Sequence, residues 1–195
     1  MQTTTISFQN MHTHGALLSN ILKARRECFI VQENWDLPET DGMEFDQYDT
    51  PQSRWIAVHK DGQVLAGIRL TPTIAKCGMY SYMIRDAQLG LLQSIPVGIL
   101  YDAAPVAEHI WESSRVFVSH DVPAADRGHI QKSLIGEMVH TAQCNGAREI
   151  LALCPRAWKR WMRMLGYETE HVGPPLEIGG TVNQAIHMYL RPAVH

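Results

Sequence analysis

The sequence predicts an α+β fold on a largely antiparallel sheet, and three features carry that reading. Residues 54–73, "RWIAVHKDGQVLAGIRLTPT", hold two apolar runs that meet at Asp61-Gly62, a dipeptide that readily takes the positive φ values of a two-residue hairpin turn. Two long stretches, 16–32 and 126–145, repeat apolar residues at helical spacing. Three further segments, "IWESSRVFV", "EILALC" and Thr181 to Arg191, read as strands.

From Ala16 to Gln32, the residues Leu17, Leu18, Ile21, Leu22, Cys28, Phe29 and Val31 fall on one opening amphipathic helix. Arg25 lies four residues from both Ile21 and Phe29, so its guanidinium stands on the apolar side, either snorkelling along its stem or directed into a cleft. A Pro-bounded loop, Pro38 to Pro51, then places four carboxylates, Asp41, Glu44, Asp46 and Asp49, in "DGMEFDQYD". In the second hairpin strand Val64, Ala66, Ile68 and Leu70 share one face, leaving Arg69 on the other with Leu65 and Gly67.

An irregular segment reaches about Ile110, where "IWESSRVFV" begins. Asp126 to Asn145 is a helix with Ile130, Leu134, Ile135, Met138, Val139 and Ala142 in register and Asn145-Gly146 as its stop. After the short strand "EILALC", Pro155 opens a further helix, Arg156 to Leu165, which Gly166 ends. The last strand carries Val182, Ile186, Met188 and Leu190.

A chain of 195 residues can bury a core as one domain without disulfides or metal. A formal charge of −3 excludes a basic nucleic-acid binder by composition, so no nucleic-acid partner is expected and an electrostatic partner must meet a local patch. Cys28, Cys77, Cys144 and Cys154 form no C-x-x-C pair and are expected as reduced, mostly buried thiols. His12 and His14 are two residues apart near the terminus, a pattern that is far more often without function than a metal site, and no metal is expected. With no signal-peptide pattern and no window of about 18 apolar residues, neither secretion nor a membrane span is supported, and a cytoplasmic location is expected.

Arg25, Arg69 and Arg115 all look directed inward, and buried charge demands pairing. The acidic loop supplies partners, either in a salt-bridge network that only fixes the loop to the sheet or in a pocket for a ligand bearing both charges. In one order along residues 25 to 118 stand "RRECF", Trp35, "EFDQYD", "GIRLTPT" and "WESSRVFV". That series resembles the acyl-homoserine-lactone synthases, the LuxI-type family that makes quorum-sensing signals.

The resemblance implies a GNAT-like acyltransferase fold, with a mixed, largely antiparallel, V-shaped sheet flanked by helices. It also implies a cytoplasmic enzyme that joins an acyl group from an acyl carrier protein or coenzyme A thioester to the amine of S-adenosylmethionine. Lactone closure with release of methylthioadenosine follows, S-adenosylmethionine being a substrate, so that no cofactor is expected. By the same resemblance Glu44, Asp46 and Asp49 help build the S-adenosylmethionine pocket, Arg25 and Arg69 balance its charge, and Phe29 and Trp35 line it. A ligand with a sulfonium, an ammonium and a carboxylate suits such a mixture of carboxylates, guanidinium groups and aromatic faces.

Glu112 is the candidate general base and Arg115 a candidate to hold the methionine carboxylate, as is Arg69. Glu112 and Arg115 are an odd number of residues apart, so a bulge at Ser113-Ser114 is expected if both are to face one side. In "PRAWKRWMRML", Arg156, Lys159, Arg160 and Arg163 share one side, a docking stripe for an acidic donor or an ordinary solvated face. Leu153 and Cys154 are the expected acyl-pocket residues, standing where members that favour 3-oxo chains tend to have threonine. The rival readings are an acetyl-CoA-dependent GNAT N-acetyltransferase, whose pyrophosphate loop is poorly represented by "AADRGHIQ", and a non-catalytic ligand-sensing module of the same fold.

Overall fold

The computed structural model describes residues 1–190, which fall into two compact units. The first comprises 1–70 with 115–141 and the second 71–114 with 142 onward, so the chain passes between them three times.

In the first unit, β1 (Gln2–Ile6) pairs antiparallel with β4 (Arg54–Lys60), which pairs antiparallel with β5 (Gln63–Pro72). The hairpin forms where Asp61-Gly62 is read as its turn, with φ of 51° and 82° at the two residues. Ile6, Trp55, Ala57 and Val64 pack with Leu17 and Ile21 of α1 (Leu17–Arg25) and with Phe29 and Phe117. Thr5, next to Ile6 and so on the opposite face of its strand, donates to Glu137 of α3 (Ala124–Cys144) at 3.0 Å. This part of the sheet therefore has α1 on one face and α3 on the other. Gly67 is required where it stands, because a Cβ there would lie 2.6 Å from the Phe117 ring.

In the second unit the first half of β6 (Ile110–Val118) runs parallel to β7 (Glu149–Pro155), the crossover passing through α3. β9 (Thr181–Tyr189) is antiparallel to β7, and β8 (Glu168–Ile178) is antiparallel to β9. The sheet is thus mixed and mostly antiparallel, as expected, with β6–β7 the parallel pair.

Several expectations need correction. The opening helix is α-helical only to Arg25 and continues as a π-helical segment, Arg26–Gln32. The acidic loop contains a miniature hairpin, β2 (Glu39–Thr40) with β3 (Met43–Glu44), turning at Asp41-Gly42 with positive φ at both. The segment before β6, read as irregular, holds α2 (Met83–Gln88). β1 and β8 were not expected at all, and Arg156 precedes α4 (Trp158–Met164) rather than opening it. The last strand ends at Tyr189, and Arg191 lies outside the described residues. Of the cysteines only Cys28 and Cys154 are buried, while Cys77 and Cys144 are exposed. Among the described residues no helix is long and apolar enough to cross a membrane, and no group of three His, Cys, Asp or Glu could hold a metal ion.

Candidate functional site

The three arginines and three of the loop carboxylates meet in the first unit. Arg25, at the end of α1, donates through Nε to Glu44 at 2.5 Å and through Nη1 and Nη2 to the two oxygens of Asp49 at 2.7 and 3.0 Å. Arg69 on β5 grips Asp46 in the same forked way at 2.5 and 3.2 Å, with Nη1 also 3.1 Å from Asp49. Arg115 on β6 completes the set, its Nη2 lying 3.1 Å from Glu44 and 2.8 Å from Asp46. Three guanidinium groups balance three carboxylates, and every member except Arg115, whose side chain is 10% exposed, is essentially buried.

Local folding explains the meeting. The main-chain N–H of Asp46 donates to Asp49 and that of Tyr48 to Asp46, so the two aspartates fold their own turn while the same carboxylates accept the arginines. Arg69 is aimed by a register shift between Val58 and His59, beyond which Trp55 rather than Arg54 stands opposite Arg69. An unbroken two-residue hairpin would pair Arg54 with it, and the bulge corrects this by one residue. The indole Nε1–H of Trp55 then donates to Asp49 at 2.7 Å, and the Tyr48 ring lies 5.6 Å from the Arg69 guanidinium carbon. Trp55 and Tyr48 are the members missed from sequence; the bulge that aligns Trp55 leaves no residue pattern.

Burial by itself would raise both aspartates, but the guanidinium of Arg69, joined by Arg115 at Asp46 and by Arg25 at Asp49, outweighs it and holds both carboxyls below the usual carboxylate range. For Arg25, burial opposes the charge, and the nearby Asp49 and Glu44 more than offset it, raising its pKa.

An aromatic wall borders this network. The π-helical segment presents Phe29, on which Trp35 stacks with ring centroids 5.1 Å apart and planes 17° from parallel. Phe117 meets Phe29 edge-on at 5.9 Å, and the Arg115 guanidinium carbon lies 5.9 Å from the Phe29 centroid. Trp35 is 38% exposed and so offers an accessible aromatic face.

Glu112 lies on the second unit's part of β6, and its carboxylate is buried. It accepts the main-chain N–H of Met83 at 3.2 Å and of Ile84 at 2.7 Å, thereby capping α2. Arg115 is committed to Glu44 and Asp46. The departure from a regular strand falls not at Ser113-Ser114 but one residue later: Ser113 still pairs with Ala152, while Arg115 takes a φ of 53°. That left-handed turn breaks the alternation at Arg115, whereas the run from Ile110 to Ser114 ahead of it is buried throughout.

On β7, Leu153 and Cys154 point to opposite faces as neighbours in a strand must, and burial pushes the Cys154 thiol up to about 12. Along α4, Arg160 and Arg163 are exposed and Lys159 is half-buried, with the exposed Arg156 just ahead of the helix.

The family model for autoinducer synthases matches residues 9–193. An acyl-homoserine-lactone synthase of Acinetobacter nosocomialis is 26% identical over 180 residues, which is 89% of this chain and 91% of the relative. Among solved structures, a coenzyme A-dependent acyl-homoserine lactone synthase with S-adenosylmethionine and isopentyl-CoA superposes with a TM-score of 0.77 at 22% identity, over 96% of this chain and 82% of that one. An acyl-CoA N-acyltransferase of Pseudomonas aeruginosa shares the fold more distantly, with a TM-score of 0.62 and 15% identity over 95% and 97% of the two chains.

Proposed function

The chain belongs to the autoinducer synthase family, and on that premise we propose that it makes an N-acyl-L-homoserine lactone from S-adenosylmethionine and an acyl thioester. The α-amine attacks the thioester carbonyl and the thiol leaves. The methionine carboxylate oxygen then attacks its own γ-carbon and displaces methylthioadenosine, which the sulfonium has already made a good leaving group.

The observation that carries the reading is the buried network of three arginines and three carboxylates beside the Phe29–Trp35 stack. Because Arg25, Glu44, Asp46, Asp49 and Arg69 are buried and satisfy one another, their part is to build the pocket wall and fix its field. The ligand's sulfonium and ammonium suit a wall rich in carboxylate and aromatic faces. Arg115, partly exposed and anchored by two carboxylates, is the guanidinium proposed to hold the methionine carboxylate for ring closure.

Glu112 is the proposed base. An α-ammonium with a pKa of roughly 7.7 to 8.0 must lose its proton before it attacks. Its carboxylate is buried and held in place by the main-chain N–H groups of Met83 and Ile84, which fixes a base that takes that proton directly or through one water. The donor is an acyl carrier protein or coenzyme A thioester, drawn to Arg156, Lys159, Arg160 and Arg163 by its negative charge, and of the two expected acyl-site residues Cys154 contributes on its face of β7 while Leu153 points to the other. The relative that holds isopentyl-CoA supports a coenzyme A-borne chain.

The test is to supply S-adenosylmethionine with a panel of acyl thioesters and follow both leaving groups. Methylthioadenosine and free thiol are expected in equal amounts. Thiol without methylthioadenosine would mark an ordinary N-acyltransferase instead.

A further inference from the structure

The β7–β9 register sets Cys154 opposite Gln184 and Ala152 opposite Ile186, so these four side chains share one face of the second unit's sheet. Trp111 and Ser113, paired with Ile150 and Ala152, stand on the same face. Two polar groups on it are buried without a hydrogen-bond partner: the Gln184 Oε1, on a residue 4% exposed, and the Trp111 Nε1–H, on a residue 5% exposed. The residues between them, Ser113 and Ala152, are small. A buried acceptor left unmatched is costly, and a native protein keeps one where something else completes it.

The orientation of the Gln184 amide is set by its other end. Nε2 donates to the carbonyl of Gly173 at 2.9 Å, where β8 loses its register between His171 and Pro175. Turning the amide over would set oxygen against oxygen, so the group left over is an acceptor and demands a donor. Cys154, across the pair, is no such partner: its Sγ is 4.0 Å from the Gln184 main-chain carbonyl.

We propose that Gln184 Oε1 is a specificity determinant for the acyl donor, accepting a hydrogen bond from a hydroxyl on the acyl chain, so that hydroxyacyl thioesters are the favoured substrate class. This rests on the acyl-thioester reading above. A saturated chain leaves the acceptor unmatched, and an oxo group sets a second acceptor against it. The other donor a thioester brings is the amide N–H of the pantetheine arm, common to both carriers and to every chain they bear.

The experiment measures kcat/KM for 3-hydroxyacyl, 3-oxoacyl and saturated acyl thioesters of one chain length on one carrier, with methylthioadenosine release as the readout. In the wild type the hydroxyacyl donor is favoured about tenfold or more over the other two. In Gln184→Met, which fills the space without an acceptor, the ratio of hydroxyacyl to saturated falls toward one. Gln184→Glu, whose buried carboxyl can donate to Gly173 when protonated and still offer a carbonyl oxygen, keeps the preference at pH 6. A wild-type ratio near one overturns the inference. So does an equal loss with all three donors in Gln184→Met, which would assign Oε1 to the pantetheine amide or to support of β8. Release from no thioester at all would instead sink the proposed function, and this inference with it.

Discussion

Asp49 accepts two guanidinium nitrogens of Arg25 and the indole N–H of Trp55, so its loss strands several buried donors at once. Breaking a buried pair from one side typically costs about 3–5 kcal/mol, and Asp49→Asn is expected to lose that order of stability in denaturant unfolding at pH 7. The folded-state pKa is depressed, so the stabilisation is fully present above the unfolded value of about 3.9 and drains away as pH falls through the lower folded value. The gap between wild type and Asp49→Asn therefore narrows below about pH 4; a gap that stays constant would mean the carboxylate charge is not what Asp49 contributes. Glu112 calls for a different experiment, because its two oxygens each hold a main-chain N–H and a glutamine would turn an amide NH₂ against one of them. Glu112→Gln is expected to cut kcat at least tenfold at pH 7 and to recover as pH passes about 8, where the substrate amine loses its proton unaided. Loss of rate without recovery would reduce Glu112 to the cap of α2. The inward arginines and their acidic-loop partners were legible because a charge on an apolar face must find a partner, whereas the backbone that delivers Arg115 to them was not, since a positive φ inside a strand has no residue signature outside glycine.

Among the elements, those with long apolar periods or a strong turn dipeptide were legible: α1, the β4–β5 hairpin, α3 and β7. β1, "QTTTI", is polar and Thr-rich, and β8, "ETEHVGPPLEI", carries two adjacent prolines, so neither shows the alternation that marks a strand. α2 has six residues, too few for a helical period, and is held from outside by Glu112. The switch from α to π winding after Arg25 is equally silent in sequence, yet it is what presents Phe29 to Trp35. α4 is the element whose charge is open to test. Reversing two exposed residues, Arg160→Glu with Arg163→Glu, is expected to raise KM for an acyl carrier protein thioester strongly while S-adenosylmethionine affinity barely moves. The wild-type KM is expected to rise with salt, since such attraction is screened over a Debye length of roughly 8–10 Å. Equal and small effects on carrier-protein and coenzyme A donors would return the stripe to an ordinary solvated face.

At the scale of the whole chain, the family match runs through both compact units, and β5, β6 and α3 each contribute residues to both. The mixed sheet was legible as a class, but the parallel β6–β7 pair was not, because it depends on a crossover through α3 that no local pattern announces. One active protein should both acylate S-adenosylmethionine and close its methionine portion into a ring. Supplying S-adenosylmethionine labelled with ¹³C in the four carbons of that portion, together with an accepted acyl thioester, and weighing the organic extract by mass spectrometry tests both steps at once. An N-acylhomoserine lactone carrying all four labelled carbons is expected, formed in equal number with methylthioadenosine. Labelled acyl-S-adenosylmethionine that never closes, or labelled S-adenosylmethionine returned intact while the thioester is consumed, would rule out the two-step synthesis.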